Sequence, residues 1–193
     1  MWFLFLHAHA SPPIPLEQLR AGDIVFQNSR SRQSTAVALA TGSRLTHVGL
    51  VLPHDGELMV IEAVEPVRWT TWEAWRAGGT PETVEVRRLT GALSADEVSK
   101  MTRVAEGLVG KHYDAAFSWT DDQMYCSELV YKIFDRGAAL EIGRLRKLRD
   151  FNLTHPVVIK TLRERYGTAV PLGETVIAPS DLAADPRLSR VEE

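Results

Sequence analysis

The most constraining stretch of this sequence is THVGLVLPHDGELMVIEAV, residues 46–64. Two runs rich in β-branched residues flank the pair Asp55-Gly56. β-branched side chains favour extended backbone, and Asp-Gly supplies the positive φ angles that a two-residue hairpin needs. The stretch predicts strands over 46–52 and 57–64, paired antiparallel. Centring the turn on Asp55-Gly56 places Glu62 opposite Gly49 and Val64 opposite His47. Glu62 is then the diagonal neighbour of His47 on one sheet face, roughly 7–8 Å away and within reach of a long side chain. A slip of one residue would put the two on opposite faces.

The remaining elements frame this hairpin. DIVFQ (23–27) reads as a short strand. SRQSTAVALATG (31–42) reads as a helix with Ser31 as N-cap and Gly42 past its end. TWEAWRAGG (71–79) is a short helix stopped by glycines, and TVEVRRL (83–89) alternates with the period of a half-buried strand. SADEVSKMTRVAEGLVG (94–110) opens with a capping box, Ser94 to Glu97, and closes at Gly110. Helices are expected over Cys126–Arg136, with Gly137 as stop, and over His155–Tyr166, with Thr154 as N-cap, Pro156 in the first turn and Gly167 as stop. ETVIAP (174–179) is a last strand. Strands and helices come in clusters, which predicts an α+β fold with an antiparallel sheet.

The chain has 193 residues, enough for one domain with a sizeable core. Residues 16–193 are read as that domain. Residues 1–15 are read as a leader-like tail, in which the apolar run Trp2–Leu6 precedes the small-x-small triplet Ala8-His9-Ala10. This resembles the end of a secretory leader without its basic start; the alternative is an edge strand or a loose end. The leader reading tilts localisation towards export, to the periplasm or cell envelope, over the cytoplasm. The net charge of −3 offers no basic field for nucleic acid. No stretch is long and apolar enough to cross a bilayer. Without H-E-x-x-H or C-x-x-C, no metal and no cofactor is expected.

Cys126 is the single cysteine, so no internal disulfide can form. It stands where DDQMY gives way to an apolar helix carrying Leu129, Val130, Ile133 and Phe134. A helix N-terminus stabilises a thiolate, the nucleophilic form of cysteine. From position alone, nucleophile and buried structural cysteine both stand. A nucleophilic cysteine needs a base and a group that orients the base. His47 with Glu62 on the adjacent strand would supply both. His7, His9, His54 and His155 read as tail or surface residues, and His112, near the cysteine in sequence, is the rival.

At these residues the chain resembles the YiiX/YaeF-type permuted papain-like amidases, relatives of the NlpC/P60 cell-wall peptidases. The matching pieces are GDIVFQNSRSRQSTAVALAT, THVGLV, VIEAVEPVRWTTWEAW, GKHYDAAFSWTDDQMYCSELVYKIF and ERYG…PLGETVIAPSDL, spread over roughly residues 20 to 182. The histidine strand precedes the cysteine helix, the permuted order. The resemblance implies a papain-like core, helices packed on a barrel-like antiparallel sheet. It also implies a triad with Cys126 as nucleophile, His47 as general base and Glu62 as the residue that orients it. Tyr113 resembles the tyrosine that precedes the cysteine in NlpC/P60 relatives and is a candidate oxyanion donor beside the Cys126 N–H. Gln27 matches the oxyanion glutamine of papain in residue type only.

The expected activity is a cysteine-dependent amidase or peptidase working through an acyl-enzyme. Its substrate would be a cell-envelope peptide, an N-acylated amine or a lipid. A lipid- or peptide-binding module on the same fold and a thiol acyltransferase are the alternatives. Trp69, Trp72 and Trp75 form an i, i+3, i+6 stripe that reads as packing, with a substrate grip as the sharper reading. Arg144, Arg146, Lys147 and Arg149 read as a solvated helix face, or as a contact to anionic lipid or glycan. Asp121 and Asp122 read as loop caps, with a substrate amine as the other option.

Overall fold

A computed structural model describes residues 14–31, 33–80 and 83–192. The tail reading of residues 1–13 lies outside them. The chain runs β1 (Ile24–Gln27), α1 (Ser34–Thr41), β2 (His47–His54), β3 (Glu57–Glu62), β4 (Arg68–Thr70), α2 (Trp72–Ala77), β5 (Glu85–Leu89), α3 (Ala95–Glu106), β6 (His112–Tyr113) and β7 (Gln123–Met124). It continues through α4 (Cys126–Ala138), β8 (Arg146–Lys147), α5 (Pro156–Tyr166), β9 (Thr175–Val176), α6 (Pro179–Ala183) and β10 (Leu188–Arg190).

Six strands form one antiparallel sheet in the order β10-β5-β1-β2-β3-β4. The fold is the expected α+β class. The sheet stays open, however, and does not close into the barrel-like form expected of it: β10 and β4 are its two edges. Both faces are covered. Ile24, Phe26, Val48, Leu50 and Ile61 pack with Met101 of α3 and with Leu129, Ile133 and Phe134 of α4. Val25, Val51, Val60 and Val86 point the other way, onto Trp72 and Trp75 of α2. Strand residues therefore alternate between two apolar layers rather than between core and water, as period-two geometry allows for a central sheet.

The hairpin register is the predicted one: Gly49 pairs with Glu62 and His54 with Glu57 across the Asp55-Gly56 turn, both turn residues at positive φ. The capping box at Ser94 and Glu97 is formed, and Gly42 ends α1 in the left-handed conformation.

Other boundaries moved. Gln33, not Ser31, is the N-cap of α1, because Ser34 fastens the helix start with its hydroxyl to Asn28 and Thr46. His155, not Thr154, caps α5, its Nδ1 accepting from the Val157 N–H at 3.2 Å. Gly137 does not stop α4, which runs on to Ala138 and turns at Ala139. A Cβ on Gly137 would lie 2.6 Å from the Met101 Cα, so the residue serves close approach of α4 to α3. Of ETVIAP only Thr175–Val176 is strand, since Pro179 opens α6 instead. The basic run is no helix face: it forms β8 and a short 3-10 turn, with Arg146 over the Phe151 ring. Trp72 and Trp75 are buried and stacked on each other, as the packing reading held, while Trp69 lies on β4 and stacks on His54.

Candidate active site

The site forms where β2 begins and α4 begins. His47 is the first residue of β2 and Cys126 the first of α4. Gln27, the last residue of β1, pairs with His47 across the ladder. Cys126, His47, Glu62, Tyr113 and Gln27 all line a single cavity of about 600 Å³. The fold thus brings together residues spread over a hundred positions of sequence.

His47 and Glu62 are bonded, Nε2 to Oε2, at 2.8 Å, with 8% and 4% of their surface exposed. The diagonal hairpin relationship delivers the pair as the register predicted. Glu62 Oε1 accepts from the Thr70 hydroxyl at 2.7 Å and from the Arg68 guanidinium at 3.4 Å. These partners come from β4, paired with β3 in the register Glu62 to Arg68 and Val60 to Thr70. Burial raises the Glu62 pKa. The hydrogen bond and charge of His47, with Thr70 and Arg68 behind them, outweigh burial and hold it below 4.5.

Because Nε2 is committed to Glu62, Nδ1 is the imidazole nitrogen left for the thiol. Burial alone would lower the His47 pKa. Hydrogen bonds to Cys126 and Glu62, and the negative charge of both, outweigh it and raise the pKa from 6.5 to about 9. The imidazole is therefore positively charged at neutral pH and faces a buried thiol at a helix start. The Trp75 ring stacks on the imidazole with centroids 6.1 Å apart.

As the first residue of α4, Cys126 carries a backbone N–H with no intrahelical acceptor. Tyr113 borders the same cavity, and burial, with the charge of Cys126, pushes its phenol pKa upward, so it stands as a proton donor. Gln27 is buried and donates from Nε2 to the Trp75 carbonyl at 3.2 Å, while its Oε1 rests against Gly79 without a partner among the described residues. Ser127 donates to the Ile177 carbonyl and is a packing residue.

The rival residues are placed elsewhere. His112 is exposed and bonded to Glu65 at 2.7 Å. Asp121 is held by Lys132 and Arg136, each at 2.8 Å, so it ties the loop before α4 to that helix by ion pairs.

Thr70 and Arg68 are site residues that the sequence reading did not assign, and Trp75, read there as packing or as a substrate grip, stacks on the imidazole instead. The run Val67–Thr70 carries strand-favouring residues, which was the available signal.

Residues 18–192 match the family described as permuted papain-like amidase enzyme, YaeF/YiiX, C92 family. The chain belongs to that family. The uncharacterized protein YiiX of Escherichia coli K12 is 40% identical over 188 residues, covering 97% of this chain and 93% of the relative. The crystal structure of metalloprotein yiiX from Escherichia coli O157:H7 superposes with a TM-score of 0.87 at 41% identity, covering 91% of this chain and 98% of that one. The fold is accordingly the permuted papain-like one, and the protein is an enzyme of the cysteine hydrolase class.

Proposed function

We propose that the protein is an amidase in which Cys126 is the nucleophile, His47 the acid and base, and Glu62 the residue that orients the imidazole. The observation that carries this reading is the buried His47–Glu62 pair sharing one cavity with a thiol at the first turn of α4. The Cys126 thiolate adds to the substrate carbonyl carbon, and the oxygen takes up the negative charge. The Cys126 N–H is the first oxyanion donor, with Tyr113 or Gln27 as the second. The C–N bond then breaks, His47 gives its Nδ1 proton to the leaving amine, and a thioester remains on Cys126. Water attacks the thioester, His47 takes one of its two protons, and the carboxylic acid leaves as the thiolate returns.

The relative's structure is described as that of a metalloprotein. Among the described residues of this chain, no three His, Cys, Asp or Glu side chains are placed to share an ion. Glu62, the carboxylate nearest the thiol and imidazole, is turned to Nε2, Thr70 and Arg68. These donors do not fit a metal, and the steps above run on the side chains alone.

For the substrate, the cavity favours an acyl chain over a polar peptide. Val37, Ala40, Leu148, Phe151, Val158 and Leu162 line it, and so do Glu65 and Arg68. An aliphatic acyl group fits the apolar part, and the amine it is joined to would lie among the charged residues.

The test is hydrolysis of N-acyl amines of graded chain length, set against short polar peptides, by wild type and Cys126→Ala. The expected result is Cys126-dependent release of the amine, fastest with an aliphatic acyl group, and an intact mass increased by the acyl group on wild type alone. Equal rates with both proteins would overturn the assignment of the nucleophile. Turnover of the peptides alone would overturn the substrate class.

A further inference from the structure

One residue of the cavity wall is out of character with its neighbours. Along α5 the cavity is lined by Val158, Thr161, Leu162 and Arg165, one stripe at i, i+3, i+4 and i+7. Val158 and Leu162 continue the apolar wall, and Thr161 gives its hydroxyl to the Val157 carbonyl. Arg165 ends it with a guanidinium that lies over the Phe117 ring, 4.8 Å from its centroid, and donates from Nη2 to the Gln33 side-chain oxygen. Among the described residues, no carboxylate lies within 4.0 Å of this guanidinium. The other arginine lining the cavity, Arg68, already faces Glu62.

Gln33 at the start of α1 and Arg165 near the end of α5 meet because the two helices pack together. Arg165 and Tyr113 line the same cavity as Cys126. Arg165 therefore shares one cavity with the thiol and the apolar stretch. A guanidinium has five N–H donors in a planar fork that matches carboxylate and phosphate. The single Nη2 bond to Gln33 leaves most of the fork free, and a half-buried cation without a counter-ion gains from a bound anion.

We propose that Arg165 is a specificity-determining residue that binds an anionic group, carboxylate or phosphate, carried by the substrate beside its apolar chain. The preferred substrate is then an anionic amphiphile. This rests on the acyl-substrate reading above, and it adds a charge requirement that the apolar wall alone does not impose.

The experiment is protection of Cys126 from iodoacetamide by four probes with one chain length: laurate, dodecyl phosphate, dodecanol and dodecyltrimethylammonium. Each is used below its micelle concentration on wild type, Arg165→Gln and Arg165→Lys. In wild type the two anions are expected to protect at concentrations about tenfold or more below those of the alcohol and the cation. Arg165→Gln is expected to abolish that preference while keeping protection by dodecanol, and Arg165→Lys to retain part of it. Laurate against dodecyl phosphate tells which anion the fork prefers. Melting curves of both variants establish that they are folded.

An unchanged anion preference in Arg165→Gln overturns the role of Arg165 and leaves the apolar cavity standing. Protection by none of the four, with Cys126 still labelled, overturns the acyl-substrate reading and this inference with it.

Discussion

His47 Nε2 and Glu62 Oε2 lie 2.8 Å apart across two hydrogen-bonded strands, one residue beginning β2 and the other ending β3. The bond fixes which imidazole nitrogen meets the thiol, and it holds a negative charge behind the ring. Removing that charge while keeping the shape isolates its effect. Glu62→Gln is expected to lower the His47 pKa and to lower amide turnover by roughly 10²–10⁴-fold. The pH profile of Cys126 alkylation is the check. In wild type, reactivity should persist well below the ordinary thiol range near 8.5. In Glu62→Gln and His47→Ala the profile should move up towards that range. Identical profiles in all three proteins would mean that the pair does not activate the thiol.

The same pair links folding to pH. The folded His47 pKa is raised to about 9 from 6.5, so the folded state holds its proton more tightly than the unfolded chain. The resulting stability is fully present below pH 6.5 and is lost as pH rises through 9. Comparing melting temperatures of wild type and His47→Asn from pH 6 to 10 should show a gap that narrows across this window. A gap that widens as pH rises would contradict the sign.

Much of this site was legible in the hairpin. Val, Ile and Leu runs around Asp-Gly fix a register, and the register alone puts Glu62 beside His47. Cys126 was visible as a thiol at a helix start, because a polar loop gives way there to helical spacing, but the resemblance and not the position singled it out as a nucleophile. The support of Glu62 was not. Arg68 and Thr70 sit on a three-residue strand, too short to show a period of two. The contact between Gln33 and Arg165 depends on α1 meeting α5 across 132 positions, and no local pattern encodes it. The stop assigned to Gly137 failed for a similar reason: a glycine needed for helix–helix approach looks in sequence like one that ends a helix.

Two glycines separate site geometry from stability. A Cβ on Gly49 would come 2.4 Å from Val60 Cγ1 and 3.1 Å from Trp75 Nε1, pushing the ring that stacks on His47. A Cβ on Gly137 would meet the backbone of Met101 at 2.6–2.7 Å, on the α3–α4 side. Both alanine variants should lose about 1–3 kcal/mol in urea unfolding. Only Gly49→Ala should also slow Cys126 alkylation at pH 6.5 under native conditions. Equal labelling of the two variants would mean that Trp75 does not hold the imidazole.

Behind the cysteine, α4 carries a buried ion pair that the catalytic steps do not use. Glu128 Oε1 accepts from Lys132 Nζ at 2.7 Å, and Lys132 also binds the Thr120 carbonyl and Asp121, tying the preceding loop to the helix. Burial pushes the Glu128 pKa up to about 7, against the opposing pull of Lys132. Its ionised form is thus disfavoured by folding. The associated stability is full below pH 4.5 and is lost as pH rises through 7. Lys132→Met would leave that carboxylate unpaired in the interior, and a broken buried pair costs about 3–5 kcal/mol. The loss should be largest near pH 8, where Glu128 must carry charge, and smaller near pH 5.5, where it can hold a proton. Glu128→Gln combined with Lys132→Met should recover part of it at pH 8. Urea unfolding of wild type and the two variants at both pH values reads all of this. A loss independent of pH and unchanged by the second substitution would show that Lys132 matters through its loop contacts to Thr120 and Asp121 rather than through Glu128.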